Sequence, residues 1–169
     1  MALKKYDDWM KFSPEIFSFF MDGMLLTAGT KDDCNTMAVG WGGLGTLWGR
    51  PAATIYVRPT RHTLGFLERE DCFSLSVLPK EYDDKVNYCG TVSGRDEDKI
   101  KNCGFHIECG LGGTPYIAEA KLVLICKKIL WDDIDPAKII DPADDAEVYP
   151  LKDYHRVYVG EIVEAWQEA

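Results

Sequence analysis

Several patterns are missing from this sequence, and each absence removes a class of function. No apolar run approaches the roughly 20 residues that cross a bilayer, so no membrane partner is expected. Met1–Lys11 is charged and lacks the apolar stretch of a secretion signal, which points to the cytoplasm. Basic charge is in deficit: Lys+Arg 19 stand against Asp+Glu 28, a net charge of -9, which argues against nucleic acid or an anionic membrane surface. There is no Walker loop and no G-x-S-x-G elbow, and nothing around Cys34 or Cys72 marks a nucleophile. Paired C-x2-C is also missing. Cys103, His106 and Cys109 form C-x2-H-x2-C, and Cys89 would complete four ligands for zinc or an iron–sulfur cluster. Without a C-x2-C pair, no metal is expected, and the six cysteines read as reduced thiols.

What is present describes an ordinary globule: 169 residues, 46% hydrophobic and 28% charged. That length suits one domain over residues 1–169 with its own core. Ser13-Pro14-Glu15 predicts a capped helix start, with Ile16, Phe17, Phe19 and Phe20 on one side and Gly23 as the stop. Met24–Ala28 and Asn35–Trp41 predict two strands joined by the turn-rich Gly29–Asp33. Gly40–Gly45 spells G-x-G-x-x-G, but Thr46-Leu47-Trp48-Gly49-Arg50-Pro51 cannot open the helix that a dinucleotide fingerprint needs. The stretch is therefore predicted as a loop.

Ala53–Val57 predicts a strand, and Thr63 a cap for a helical turn over Leu64–Arg69. Phe73–Leu78 alternates apolar residues with serine, the pattern of a half-buried strand. Pro79–Cys89 reads as partly helical, and Ser93 as the start of a helix that Gly104 ends after about Cys103. Glu119–Leu130 and Arg156–Trp166 predict strands around an acidic excursion, Trp131–Val148, that carries Pro136 and Pro142. Strands outnumber helices, so the predicted class is mainly β: an antiparallel barrel or sheet with peripheral helices.

The chemistry concentrates between Asn35 and Thr63. Arg58-Pro59-Thr60-Arg61-His62-Thr63 sets two cations and two hydroxyls before a helix start. Guanidinium groups, hydroxyls and free N–H groups are what phosphate oxygens bind. The corner reads as a phosphate seat, with the Asn35–Trp41 strand as the wall for a flat ring. The competing reading is two exposed arginines in a turn. His62 either adds a donor to the anion or faces solvent. His155 is either a proton shuttle or ligand donor, or a structural histidine.

Four motifs in order carry a family resemblance over nearly the whole chain: Asn35-Thr36-Met37 followed by Trp41, Arg58–Thr63, Tyr88-Cys89-Gly90 with Ser93-Gly94-Arg95-Asp96 and Asp98-Lys99, and His155 followed by Tyr158-Val159-Gly160-Glu161. The chain resembles the flavin reductase-like, FMN-binding split-barrel family, most closely its flavoredoxin-type branch. The resemblance implies an antiparallel split-barrel homodimer with non-covalent FMN at or near the subunit interface. It assigns flavin contacts to Asn35, Thr36, Met37, Ala38, Trp41, Arg58, Thr60, Arg61, Thr63, Ser93, Gly94, Lys99 and His155. Ala38 departs from the threonine of many relatives, which removes one hydroxyl donor.

Two redox roles follow, with no catalytic residue assigned. One is an NAD(P)H-dependent flavin reductase, with NAD(P)H as electron donor. The other is an electron carrier that exchanges electrons with a redox partner protein. A third reading is a non-redox or haem-binding module on the same barrel, with His155 as axial ligand. The Gly42–Gly49 loop and the acidic excursion are the segments expected to cover or expose the ring.

Overall fold

The computed structural model describes residues 19–21 and 23–167. Its strands are β1 (Met24–Gly29), β2 (Cys34–Val39), β3 (Gly42–Leu47), β4 (Arg50–Val57), β5 (Cys72–Val77), β6 (Ile107–Cys109), β7 (Pro115–Ile117), β8 (Leu122–Asp133) and β9 (Arg156–Gln167). Its α-helices are α1 (Thr63–Arg69), α2 (Asp83–Thr91), α3 (Lys99–Cys103) and α4 (Pro142–Val148). Seven strands form one antiparallel sheet in the order β2-β1-β5-β8-β9-β4-β3, and β6 and β7 form a separate hairpin. The sheet curls without closing. The predicted mainly-β antiparallel class is the one observed.

Burial explains why these segments are strands. Every residue of β1 is buried, because its inner face meets Leu75, Phe73 and Leu67 while Leu25 on the other face meets Leu78, Val86 and Cys89. Each such large apolar side chain contributes about 1.5–3 kcal/mol through burial. β5 corrects the half-buried expectation. Ser74 and Ser76 are fully buried, because the β6–β7 hairpin covers that face. Ser74 Oγ donates to the Pro115 carbonyl at 2.6 Å, and the Ile117 N–H donates to Ser76 Oγ at 3.4 Å. The two hydroxyls let a polar face be buried without orphaned groups.

Other expectations shift for local reasons. The predicted Gly40–Pro51 loop is mostly strand: β3 pairs with β4 from Gly42↔Ile55 to Leu47↔Arg50. The strand predicted over Asn35–Trp41 ends at Val39. Thr63 lies inside α1 instead of capping it, and its hydroxyl accepts from Asn35 Nδ2 at 2.8 Å. Ser93 opens a turn, accepting N–H bonds from Asp96 and Glu97 through its carbonyl, and the cap of α3 is Asp98, whose carboxylate accepts from Lys101 N–H. Gly104 ends α3 at φ 64 as expected. The acidic excursion begins as the end of β8, then carries α4 capped by Asp141 with Pro142 in its first turn. Of the helix predicted before Gly23, residues 19–21 are helical and Gly23 stands at φ +82; the rest lies outside the described residues.

Gly160 exposes how tightly β9 sits on the core. A Cβ there would lie 2.7 Å from Cys126 Cβ and 2.8 Å from Phe73 Cζ, and Phe73 is fully buried. Gly160→Ala should therefore lower unfolding free energy by about 1–3 kcal/mol, the usual range for overpacking. Gly65, in α1 with open space where its Cβ would be, should behave oppositely, with Gly65→Ala gaining about 0.5–1 kcal/mol. Urea titration of both variants checks the pair of signs.

Candidate functional site

The site is built on the end of α2. The last carbonyls of a helix have no partner within it, and here three of them find one. Tyr88 O accepts from Val92 N–H. Cys89 O accepts from Lys99 Nζ at 3.0 Å, and Gly90 O accepts from Arg61 Nη1 at 2.7 Å. The negative pole of the helix favours both cations. This arrangement draws the β4–α1 connection and the segment before α3 to one point.

Neither cation meets a carboxylate among the described residues. Lys99 is 3% exposed. Burial lowers its proton affinity, and neighbouring Arg61 adds to that effect. Burial and then Arg58 likewise lower that of Arg61. Arg61 uses one of five N–H donors on Gly90, and Lys99 one of three on Cys89. The remaining donors surround a cavity of ≈ 210 Å³ that Met37, Arg58, Thr60, Arg61, Thr63, Ser93, Gly94 and Lys99 line. Eight of the sequence-predicted residues thus converge.

Asn35 supports this cavity from below. It is 7% exposed, bonds Thr63, and approaches Gly94 so closely that any Cβ on Gly94 would overlap the Asn35 amide. Only glycine lets the Ser93–Lys99 segment lie down on β2. A second cavity of ≈ 340 Å³, with Asp32, Asp33, Asp96 and Asp98 in its wall, shares His62, Gly94 and Lys99 with the first. His62 packs edge-on against Phe66 at 5.3 Å, and burial followed by Arg95 lowers its proton affinity.

The other predicted residues stand apart. Thr36 is fully buried and turned toward β1, where its hydroxyl donates to Leu26 O and accepts from Thr27 Oγ1. Ala38 packs in the cluster beneath α2, beside Gly90. Trp41 and His155 pack together with their rings tilted by 37° and centroids 4.6 Å apart. His155 Nδ1 shares a 2.9 Å hydrogen bond with Tyr149 OH.

Sequence reasoning missed the bracing of Arg58. Its guanidinium donates to Asp153 Oδ1 at 2.7 Å and Val148 O at 3.0 Å, and lies 5.3 Å from the Tyr149 ring centre. The pairing holds the Asp153 carboxyl below the usual carboxylate range. Among the described residues Arg58 thus meets a carboxylate and Arg61 does not. Asp153 is 95 residues from Arg58 in sequence, so no local pattern signals the pair.

Cys89 and Cys103 meet with sulfurs 3.8 Å apart. His106 Nδ1 instead bonds Glu119 at 2.6 Å, and Cys109 is exposed. The C-x2-H-x2-C residues do not converge, and among the described residues no group of three His, Cys, Asp or Glu gathers to hold a metal. Nor is any described helix long and apolar enough to cross a membrane.

Comparison with known proteins places these features. The family described as Flavin reductase like domain matches residues 21–169. Among solved structures, flavoredoxin from Methanosarcina acetivorans is 24% identical with a TM-score of 0.68, over 99% of this chain and 76% of that one. The FMN-binding protein from Thermus thermophilus, solved with bound 1-cyclohex-2-enone, is 20% identical with a TM-score of 0.69, over 99% and 79%. Nitrilotriacetate monooxygenase component B from Bacillus cereus is 11% identical with a TM-score of 0.68, over 99% and 81%. At these identities the likeness establishes the fold, an antiparallel split barrel with peripheral helices. No curated protein matches the sequence.

His155 provides a pH test of the site's packing. Burial, then the charge of Arg58, lowers its pKa from 6.5 to about 4. Between those values the unfolded chain takes up a proton that the folded chain refuses. This contribution therefore leaves stability intact above pH 6.5 and removes it progressively as pH falls to about 4. Nitrogen-detected NMR should show the His155 imidazole titrating near 4. His155→Gln should lose less stability than the parent across that window.

Proposed function

Because this chain belongs to the Flavin reductase like family, we propose that its basic cavity binds FMN non-covalently and that it works as a flavin redox protein. The observation that carries the reading is the pair Arg61 and Lys99, held side by side on α2 carbonyls and, among the described residues, without a carboxylate partner. Two cations that raise each other's cost of burial are relieved by an anion with several oxygens. Thr60, Thr63 and Ser93 line the same cavity and offer hydroxyls to such oxygens. Met37, 4% exposed in the wall, gives apolar cover. The residues present therefore fit a phosphorylated flavin.

When bound, the flavin supplies the electron-transfer chemistry, and the protein orients it and tunes its potential. Arg61 and Lys99 would hold the phosphate. Arg58, tied to Asp153, would act by fixing the shape of the corner and the ring of Tyr149. Asn35 and Gly94 would set the depth of the floor. At ≈ 210 Å³ the cavity is smaller than the roughly 300–1,000 Å³ typical of ligand sites. A second copy completing the site agrees with that shortfall, and we propose a homodimer of single-domain chains. The six free thiols fit a reducing compartment such as the cytoplasm.

The favoured activity is NAD(P)H-dependent flavin reduction. Hydride transfer needs the nicotinamide within roughly 3–3.5 Å of the acceptor atom. Trp41 is 48% exposed beside His155 and offers an aromatic surface on which a second ring can stack.

Calorimetry tests the site. FMN should bind more tightly than riboflavin, and Arg61→Ala should weaken FMN binding by about 1.5–3 kcal/mol while leaving riboflavin unaffected. Arg95→Ala should cost less, since Arg95 is exposed and braces Thr60 O. Equal binding of FMN and riboflavin by the parent would refute the phosphate seat.

Anaerobic stopped flow tests the activity. NADH or NADPH should bleach the loaded protein faster than free FMN. Bleaching by a reduced carrier protein, with neither nicotinamide effective, would replace the reductase reading with the electron-carrier one.

A further inference from the structure

The second cavity, of ≈ 340 Å³, has a volume within the roughly 300–1,000 Å³ of ordinary ligand sites. It adjoins the basic cavity along one wall, since His62, Gly94 and Lys99 line both. Their charges differ in sign. The basic cavity gathers Arg58, Arg61 and Lys99. The second sets five carboxylates, Asp32, Asp33, Asp96, Glu97 and Asp98, against Arg95 and the shared Lys99.

These groups are not equally available to a ligand. Asp33 pairs with Arg69, Glu97 accepts from Tyr88 and Asn102, and Asp98 caps α3. Asp32 and Asp96 are exposed and, among the described residues, their carboxylates meet neither a cation nor a hydrogen-bond donor. Both cations of this wall are turned partly to backbone, Arg95 to Thr60 O and Lys99 to Cys89 O. His62, whose proton affinity burial and Arg95 lower, adds no third charge at pH 7.

Strand β2 orders the two spaces. Asn35 stands in the wall of the acidic cavity, Met37 in the wall of the basic one, and Trp41 lies past the strand's end. A flavin with its phosphate on Arg61 and Lys99 and its ring toward Trp41 turns the far side of that phosphate to the acidic cavity. A longer phosphate chain continues into it.

We infer that the acidic cavity makes the site selective for a flavin mononucleotide over a flavin dinucleotide, with Asp32 and Asp96 as the residues that discriminate. The space has the volume of a ligand site, so charge makes the choice. A phosphate monoester carries about -1.5 to -2 charge at neutral pH, and all of it meets Arg61 and Lys99. The pyrophosphate of a dinucleotide spreads a similar charge over two phosphates. One stays on the cations, and the other enters a wall of carboxylates. A like charge about 4 Å away costs roughly fivefold in affinity even in water. Unpaired charge set against the wrong ligand is one general source of specificity. The inference rests on the flavin seat proposed above and names what bounds it.

Calorimetry with FMN and FAD on the full chain tests it. The parent should bind FMN about 30-fold or more tightly than FAD. The double variant Asp32→Asn, Asp96→Asn keeps the shape of both exposed side chains and should narrow that ratio about 10-fold, mostly by gaining FAD affinity. Asp144→Asn removes a carboxylate of α4, outside both cavities, and should leave the ratio unchanged. Raising ionic strength from about 0.1 M to about 1 M shortens the screening length from about 10 Å to about 3 Å. It should narrow the ratio in the parent and much less in the double variant. A parent that binds FAD as tightly as FMN, or a ratio that the double variant leaves unchanged, would overturn the inference and leave the flavin seat standing. A chain that binds neither flavin sinks the seat, and the inference with it.

Discussion

The unsatisfied carbonyls at the end of α2 are the constraint on which the site depends. A helix cannot bond its own last carbonyls, and those of Cys89 and Gly90 are met by Lys99 and Arg61. Those two contacts join three segments: the β4–α1 connection, the end of α2 and the start of α3. Among the described residues, neither of these two cations meets a carboxylate. Without α2 ending there, Arg61 and Lys99 would have no reason to be buried or adjacent.

Other cations of the molecule meet carboxylates. Arg58 pairs with Asp153, Arg156 with Asp133 and Glu68, and Arg69 with Asp33. Exposed pairs of this kind contribute about 0–1 kcal/mol, so they arrange the surface more than they stabilise it. Among the described residues, four of the six arginines meet a carboxylate. What distinguishes the cavity is that Arg61 and Lys99 lie side by side on helix carbonyls and, among the described residues, meet no carboxylate.

Local chemistry in the sequence was read well where it acts over a few residues. The apolar run Met24–Ala28, the turn after Gly29 and the stop at Gly104 each rest on neighbours within a turn or a strand, and each is where it was expected. The G-x-G-x-x-G stretch was rightly denied a helix, since Pro51 and Trp48 oppose one. Its loop assignment failed because pairing with β4 supplies the hydrogen bonds that its weak propensity does not. The serines of β5 misled for the same reason: alternation implies water on one face, and a hairpin more than thirty residues later covers that face. Ser93 and Thr63 resemble caps in sequence, yet Asp98 caps α3 and Thr63 answers Asn35.

The sequence alone determined the mainly-β class, the acidic balance, the family motifs and the residue types gathered at Arg58–Thr63, because composition, periodicity and turn chemistry are properties of neighbouring residues. Tertiary structure decided which of those residues face one another. It neutralised Arg58 with Asp153, left Arg61 and Lys99 on helix carbonyls, turned Thr36 inward to β1 and packed Trp41 against His155. The reason is physical. A side chain's charge, exposure and hydrogen-bond partner depend on segments brought beside it by the sheet order, and the pairing of β4 with β9 or β5 with β8 leaves no mark in any local stretch of sequence.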